Sequence, residues 1–201
     1  MQQLDLAGFT APGSSSVHRL FFALWPDDAI RRCVADAAAT LKADHAPAGR
    51  WIGAHRYHLT LQFLGDFAQL PASLVDHACA AAAAVHTPAF ALTLDRAGSF
   101  RNRAIPWWLG CQSAPAGLQQ LWDELGRALA KRGVRVPSGA LTPHVTILRN
   151  ADRALPPSTA IAPIEWPVAS FALIHSELGA RNAYTVLQEW PLANERGNGP
   201  R

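Results

Sequence analysis

The 201-residue chain is short of charge, short of cysteine and without long apolar runs. Charged residues make up 16% of it, and the net charge is only +3. That is too weak a positive balance to imply an extended nucleic-acid groove, although it is compatible with an anionic ligand. Its three cysteines, Cys33, Cys79 and Cys111, are odd in number and widely spaced. They form no CxxC pair and no zinc spacing. Cys33 and Cys79 fall in Ala-rich helical patterns and read as buried thiols, which points to a reducing, cytoplasmic setting. No apolar run approaches the roughly 20 residues of a membrane span. The basic and apolar regions of a signal peptide are not seen either.

What the chain does have is apolar content, 49% by count, enough for a well-buried core. Small and turn-forming residues up to Ser16, notably Pro12-Gly13-Ser14-Ser15-Ser16, and a Gly- and Pro-containing end predict a flexible leader over 1–16 and a flexible tail over 194–201. Between them, 17–193 reads as one bilobal domain. Apolar runs and turn signals predict strands over 20–25, 57–64, 90–96, 105–111, 144–148, 170–176 and 183–190. Helical patterns cover 28–43, opened by Pro26-Asp27-Asp28, then 73–85 and 117–132. The expected class is α+β. Two pseudo-symmetric lobes, each a small, mostly antiparallel sheet backed by helices, would hold the site in the cleft between the sheets.

One tetrapeptide nearly repeats: His58-Leu59-Thr60-Leu61 and His144-Val145-Thr146-Ile147. Strand side chains alternate between faces, so each copy presents an imidazole and a hydroxyl together, with aliphatic residues behind. Strict alternation also puts Gln62 with His58 and Thr60, and puts Leu59, Leu61 and Phe63 on the core face. It turns Arg149 away from His144 unless the strand ends or bulges there. Two histidines suit an acid–base reaction near neutral pH. The six others, His18, His45, His55, His77, His86 and His175, have no such partner motif and read as structural.

The double motif resembles the 2H phosphoesterase superfamily, which is named for two such histidines. Arg19 to Pro26, Arg50-Trp51, His58 to Gly65, Trp108-Leu109-Gly110, Thr142 to Arg149, Ser176-Glu177-Leu178 and Tyr184 look like its RNA 2′,3′-cyclic phosphodiesterase branch, historically called 2′-5′ RNA ligase. Two places depart from the pattern. Gln62 stands where a basic residue is usual, and Gly53-Ala54-His55-Arg56-Tyr57 replaces a Pro-Glu-Asn-like approach. The resemblance implies hydrolysis of RNA or nucleoside 2′,3′-cyclic phosphate to a 2′-phosphomonoester, with weak reversible 2′-5′ joining. It further implies that His58 gives a proton to the leaving oxygen and His144 takes one from the nucleophile. Thr60, Thr146 and Arg149 would bind the phosphate, and Phe22 and Tyr184 would contact the substrate. Trp51, Trp107 and Trp108 are further stacking candidates, and the loop residues Arg101 and Arg103 could meet the RNA backbone. No metal or cofactor is expected; the partners would be RNA 3′ ends or nucleotides carrying the cyclic phosphate, and the protein a monomer away from membranes. The other readings are a 2H enzyme acting on a 2′-5′ oligonucleotide or an ADP-ribose cyclic phosphate, a non-catalytic RNA-end binding module, and a metal hydrolase. The last would need a third ligand at a recognisable spacing.

Overall fold

The structure, a computed structural model, describes residues 17–100, 103–137, 139–179 and 184–193. The expected leader and tail, and Arg101, lie outside these residues. In chain order the elements are β1 (Val17–Leu24), α1 (Asp28–His45), β2 (Arg50–Trp51), a 3₁₀ turn (Ala54–Arg56), β3 (Leu59–Phe67), α2 (Ala72–Ala82), β4 (Phe90–Ser99) and β5 (Trp107–Gly110). They continue with α3 (Ala116–Lys131), β6 (His144–Arg149), β7 (Thr159–Val168), β8 (Ser170–Leu178) and β9 (Tyr184–Pro191). The three helices and seven of the strands stand where hydrophobic spacing predicts them, with shifted ends. Asp27 caps α1 by accepting a 2.8 Å hydrogen bond from the Ile30 amide.

The sheet runs β7-β4-β5-β6-β3-β1-β8-β9, with β2 beside β6, and every pairing between named strands is antiparallel. The α+β class therefore holds. The two expected small sheets are instead two parts of one sheet, β7-β4-β5-β6 and β3-β1-β8-β9, joined edge to edge where Leu59 pairs with Val145. The halves match in detail. Leu24 pairs with Leu59 and Leu109 with Val145; Ala23 pairs with Thr60 and Trp108 with Thr146. The next pairs are Phe22 with Gln62 and Trp107 with Leu148, so Leu61 and Ile147 are extra residues at the same step of each half. Two equivalent β-bulges result, and a bulge reverses the inward–outward alternation beyond it.

All three helices cover one face. Leu20, Phe22 and Leu24 from β1, Leu59 and Leu61 from β3, and Val145, Ile147 and Leu148 from β6 join Leu118, Leu121, Leu125 and Leu129 of α3 in the principal core. Helices cross between halves: α1 packs on β7, while α3 reaches β3 and β4. The opposite face carries a smaller cluster of Phe21, Ala23, Ala172 and Ile174, with Trp25, Phe63 and Tyr184 against it. Two strands were not anticipated. β2 is only two residues long, and β7 contains Pro163 and Pro167, which argue against a central strand. β7 sits at the sheet edge, where proline is tolerated, and buries only Ile164, Trp166 and Val168. Cys33 is exposed, contrary to expectation, because α1 buries the stripe Ile30, Val34, Ala38 and Leu41 and turns residue 33 outward. Cys79 and Cys111 are half-buried, and burial raises both thiol pKa values.

Candidate active site

The Leu59–Val145 pair lies at the centre of the site. Continuing its antiparallel register by one residue each way sets His58 across from Thr146 and Thr60 across from His144. Leu59 and Val145 are both fully buried on the helix side, so the four polar side chains share the open face. Directly opposite residues in such a ladder have Cβ atoms about 5 Å apart and diagonal ones about 7–8 Å. The two imidazoles lie on one diagonal and the two hydroxyls on the other.

Both histidines are oriented by the same device. His58 Nδ1 lies 2.8 Å from the carbonyl oxygen of Arg56, and His144 Nδ1 lies 2.7 Å from that of Thr142. A carbonyl only accepts, so each Nδ1 carries the hydrogen and each Nε2 is left with a lone pair in the neutral form. A carbonyl two residues upstream thus sets the tautomer in both halves.

Aromatic rings wall the imidazoles. Phe21, Trp25 and Tyr184 have ring centroids 5.0, 6.1 and 5.4 Å from that of His58. His144 meets Phe100 edge-on at 4.9 Å, and Phe100 in turn tilts against Trp108. Burial lowers the pKa of both histidines. It is the largest influence on His58, which falls to about 4; the carbonyl of Arg56 opposes it, and the charges of Arg149, His144 and Arg56 add to it. Burial and Arg149 act on His144 in the same direction, against the carbonyl of Thr142.

The bulges decide which other residues reach this face. Beyond Ile147 the alternation reverses, so Leu148 enters the core and Arg149 comes round to the histidines, close enough to depress both pKa values. Beyond Leu61 the same reversal corrects strict parity. Gln62 turns to the helix side, 3% exposed, with its amide donating to the Trp122 carbonyl of α3, while Phe63 faces the open side. Phe22 is also corrected: it is fully buried against Phe171 and Trp190, on the side away from His58. Its neighbour Phe21 takes the place beside the histidine, as alternation from Ala23 and Trp25 would have indicated. Tyr184 does stand at the site.

The remaining candidates separate cleanly. Trp107 is core, its indole N–H donating to the Arg153 carbonyl at 2.8 Å, and Trp51 packs edge-on against it. Trp108 lies on the open face, its ring filling the space over Gly98 and Gly110, where a Cβ would come within 2.5 and 3.0 Å of it. Arg103 is exposed in a turn. His18 and His175 bond to each other at 2.8 Å, and His45 meets Trp107 edge-on. Sequence reasoning passed over Arg56, whose guanidinium lies over the Tyr184 ring at 4.8 Å and donates to its hydroxyl at 3.3 Å. It also passed over Arg50, which stands across from Arg149 in the β2–β6 ladder. Among the described residues no group of three or more His, Cys, Asp or Glu is gathered to hold a metal, and no helix is long and apolar enough to cross a membrane.

Known proteins resemble this chain in sequence and fold. A family model described as the 2′-5′ RNA ligase superfamily matches residues 25–180. An RNA 2′,3′-cyclic phosphodiesterase of Escherichia coli is 36% identical over 186 residues, covering 89% of this chain and 98% of the relative. An enzyme of the same description from Thermus thermophilus is 30% identical over 194 residues, covering 89% and 92%. The crystal structure of E. coli LigT complexed with 3′-AMP superposes with a TM-score of 0.72 at 34% identity, covering 89% of this chain and 99% of that one.

Proposed function

The chain belongs to the 2′-5′ RNA ligase superfamily, and from that premise we propose that it hydrolyses the 2′,3′-cyclic phosphate of RNA 3′ ends or nucleotides to a 2′-phosphomonoester. The observation that carries the reading is the pair of histidines, matched in tautomer and set diagonally about the Leu59–Val145 pair. In-line displacement at phosphorus needs an acid and a base on opposite sides of the atom. A phosphate seated among His58, Thr60, His144 and Thr146 would have one Nε2 on each side and hydroxyl donors to its non-bridging oxygens.

In this mechanism His144 Nε2 takes the proton of the attacking water. The water oxygen forms a bond to phosphorus as the bond to the ribose 3′ oxygen breaks, and protonated His58 gives its Nε2 proton to that oxygen. Each transfer contributes about 10²–10⁴-fold. Burial disfavours the protonated form of both imidazoles in the free protein. The substrate's negative charge opposes that burial, so binding itself favours protonation of His58. Arg149 would balance the charge that builds on the phosphate oxygens. Replacing water by the 5′-hydroxyl of a second strand gives the reverse of 2′-5′ cleavage, and so weak joining.

The test is hydrolysis of a 2′,3′-cyclic nucleotide in the presence of EDTA, with the phosphate isomer read by chromatography. We expect the 2′-phosphate, and loss of turnover in both His58→Ala and His144→Ala with the fold intact. A 3′-phosphate product would overturn the assignment of the leaving oxygen. Undiminished turnover in either variant would overturn the mechanism.

A further inference from the structure

The open face holds more positive charge than one phosphate needs. Arg149 lies near Arg19, Arg50 and Arg56, and after burial and the opposing influence of Tyr184 these three charges depress its pKa. Of the four, only Arg19 has a carboxylate partner, Asp66, at 2.7 Å; none of the ion pairs among the described residues involves Arg50, Arg56 or Arg149. Like charges held together without counter-charge cost stability unless an anion offsets them.

Arg56 is the most telling. It lies in the 3₁₀ turn Ala54–Arg56, two residues before His58. Its guanidinium carbon lies 4.8 Å from the centre of the Tyr184 ring, which stands edge-on to His58. Its Nε is buried without an acceptor. A buried N–H donor without an acceptor is costly, and packing over a ring restricts the guanidinium to one orientation beside His58, so that an anion meeting it there finds it already ordered. The Arg56 carbonyl accepts from His58 Nδ1 at 2.8 Å, and its ring partner Tyr184 lies 5.4 Å from the imidazole, which puts Arg56 on the leaving-oxygen side of the proposed site.

We propose that Arg56, braced by Tyr184, forms a second anion subsite for the internucleotide phosphate preceding the terminal cyclic phosphate. The protein's preferred substrate is then an oligonucleotide end, and a mononucleotide fills only part of the site. Each nucleotide of a strand carries one phosphate charge, so the charge before the terminal cyclic phosphate lies one nucleotide away. A second cation beside the first phosphate position therefore meets the next charge of the same strand. This inference rests on the cyclic-phosphodiesterase reading.

Steady-state kinetics on a mononucleoside 2′,3′-cyclic phosphate and on the dinucleotide ending in the same group test it. For the unaltered full chain, kcat/KM should favour the dinucleotide by about tenfold, the value of one good charge-assisted contact. That advantage should shrink in high salt. Arg56→Asn should remove it, raising KM for the dinucleotide more than for the mononucleotide, and Arg56→Lys should restore part. Thermal melting of both variants separates a folding defect from a contact defect. Equal kcat/KM for the two substrates in the unaltered protein would overturn the inference while leaving the proposed reaction standing. An equal loss on both substrates in Arg56→Asn would also overturn it, since Arg56 would then serve the reacting phosphate or position His58. Turnover of neither substrate would instead count against the proposed reaction itself.

Discussion

The aromatic wall around His58 makes a quantitative prediction about stability. An imidazole in the unfolded chain titrates near 6.5, whereas burial among Phe21, Trp25 and Tyr184 pushes His58 down to about 4. Between those two values the unfolded state binds more protons than the folded one, so stability rises with pH across that window. The contribution is complete above about pH 6.5 and is lost as the pH falls toward 4. A gap of about 2.5 pH units at about 1.36 kcal/mol each is about 3 kcal/mol. His144 is displaced in the same direction and adds to the effect. Urea denaturation of the unaltered protein and of His58→Gln, at half-unit steps from pH 7 to pH 4, isolates the share of His58. The stability difference between the two should move by about 3 kcal/mol in favour of the variant as the pH falls. A difference that stays constant over the window would refute the reasoning, since it would mean that His58 titrates alike in the folded and unfolded chains.

Three other outcomes are expected. Thr60→Val and Thr146→Val, which keep shape and remove a hydroxyl, should each lower kcat by about 10²-fold with little change in thermal midpoint, because the proposed mechanism uses that donor on the phosphate oxygens. Asp27→Ala should cost about 1 kcal/mol in denaturant unfolding through loss of its bond to the Ile30 amide, without altering kcat. Gly98→Ala should force Trp108 off its seat, since the added Cβ would stand 2.5 Å from the indole. A changed tryptophan emission spectrum and a loss of about 1–3 kcal/mol would report it.

How much of this was legible in the sequence depends on how local the cause was. The helices could be read from their own spacing: Leu118, Leu121, Leu125 and Leu129 form one stripe of α3, and Asp27 marks the start of α1. The histidines and threonines could be read because each motif lies just before its bulge, where alternation still holds. Beyond Leu61 and Ile147 it does not. A bulge is specified by the partner strand as much as by the bulged one, and nothing in Gln62-Phe63 or Leu148-Arg149 announces it. Gln62 and Phe63 were therefore misplaced by parity, and Arg149 comes to the open face through the bulge that its reaching the site required. β7 was hidden because its prolines are tolerated only at an edge, and which strand is the edge is a property of the whole sheet. The alternation of Ile164, Trp166 and Val168 was the signal available. Phe22 was misassigned by resemblance, where parity from Trp25 would have favoured Phe21.

The two bulges also break a degeneracy. A cleft made from two identical halves would bind a phosphodiester equally well in two poses related by rotation, and in one of them each bridging oxygen would face the wrong histidine. The bulges carry one residue from each half onto the open face at equivalent positions, Phe63 from β3 and Arg149 from β6. One is an apolar ring and the other a fixed charge, so the two poses differ in energy. Under the proposed mechanism, this pair of unlike residues joins the unequal aromatic walls of His58 and His144 in setting which histidine gives the proton and which takes it, at positions the backbone treats as the same.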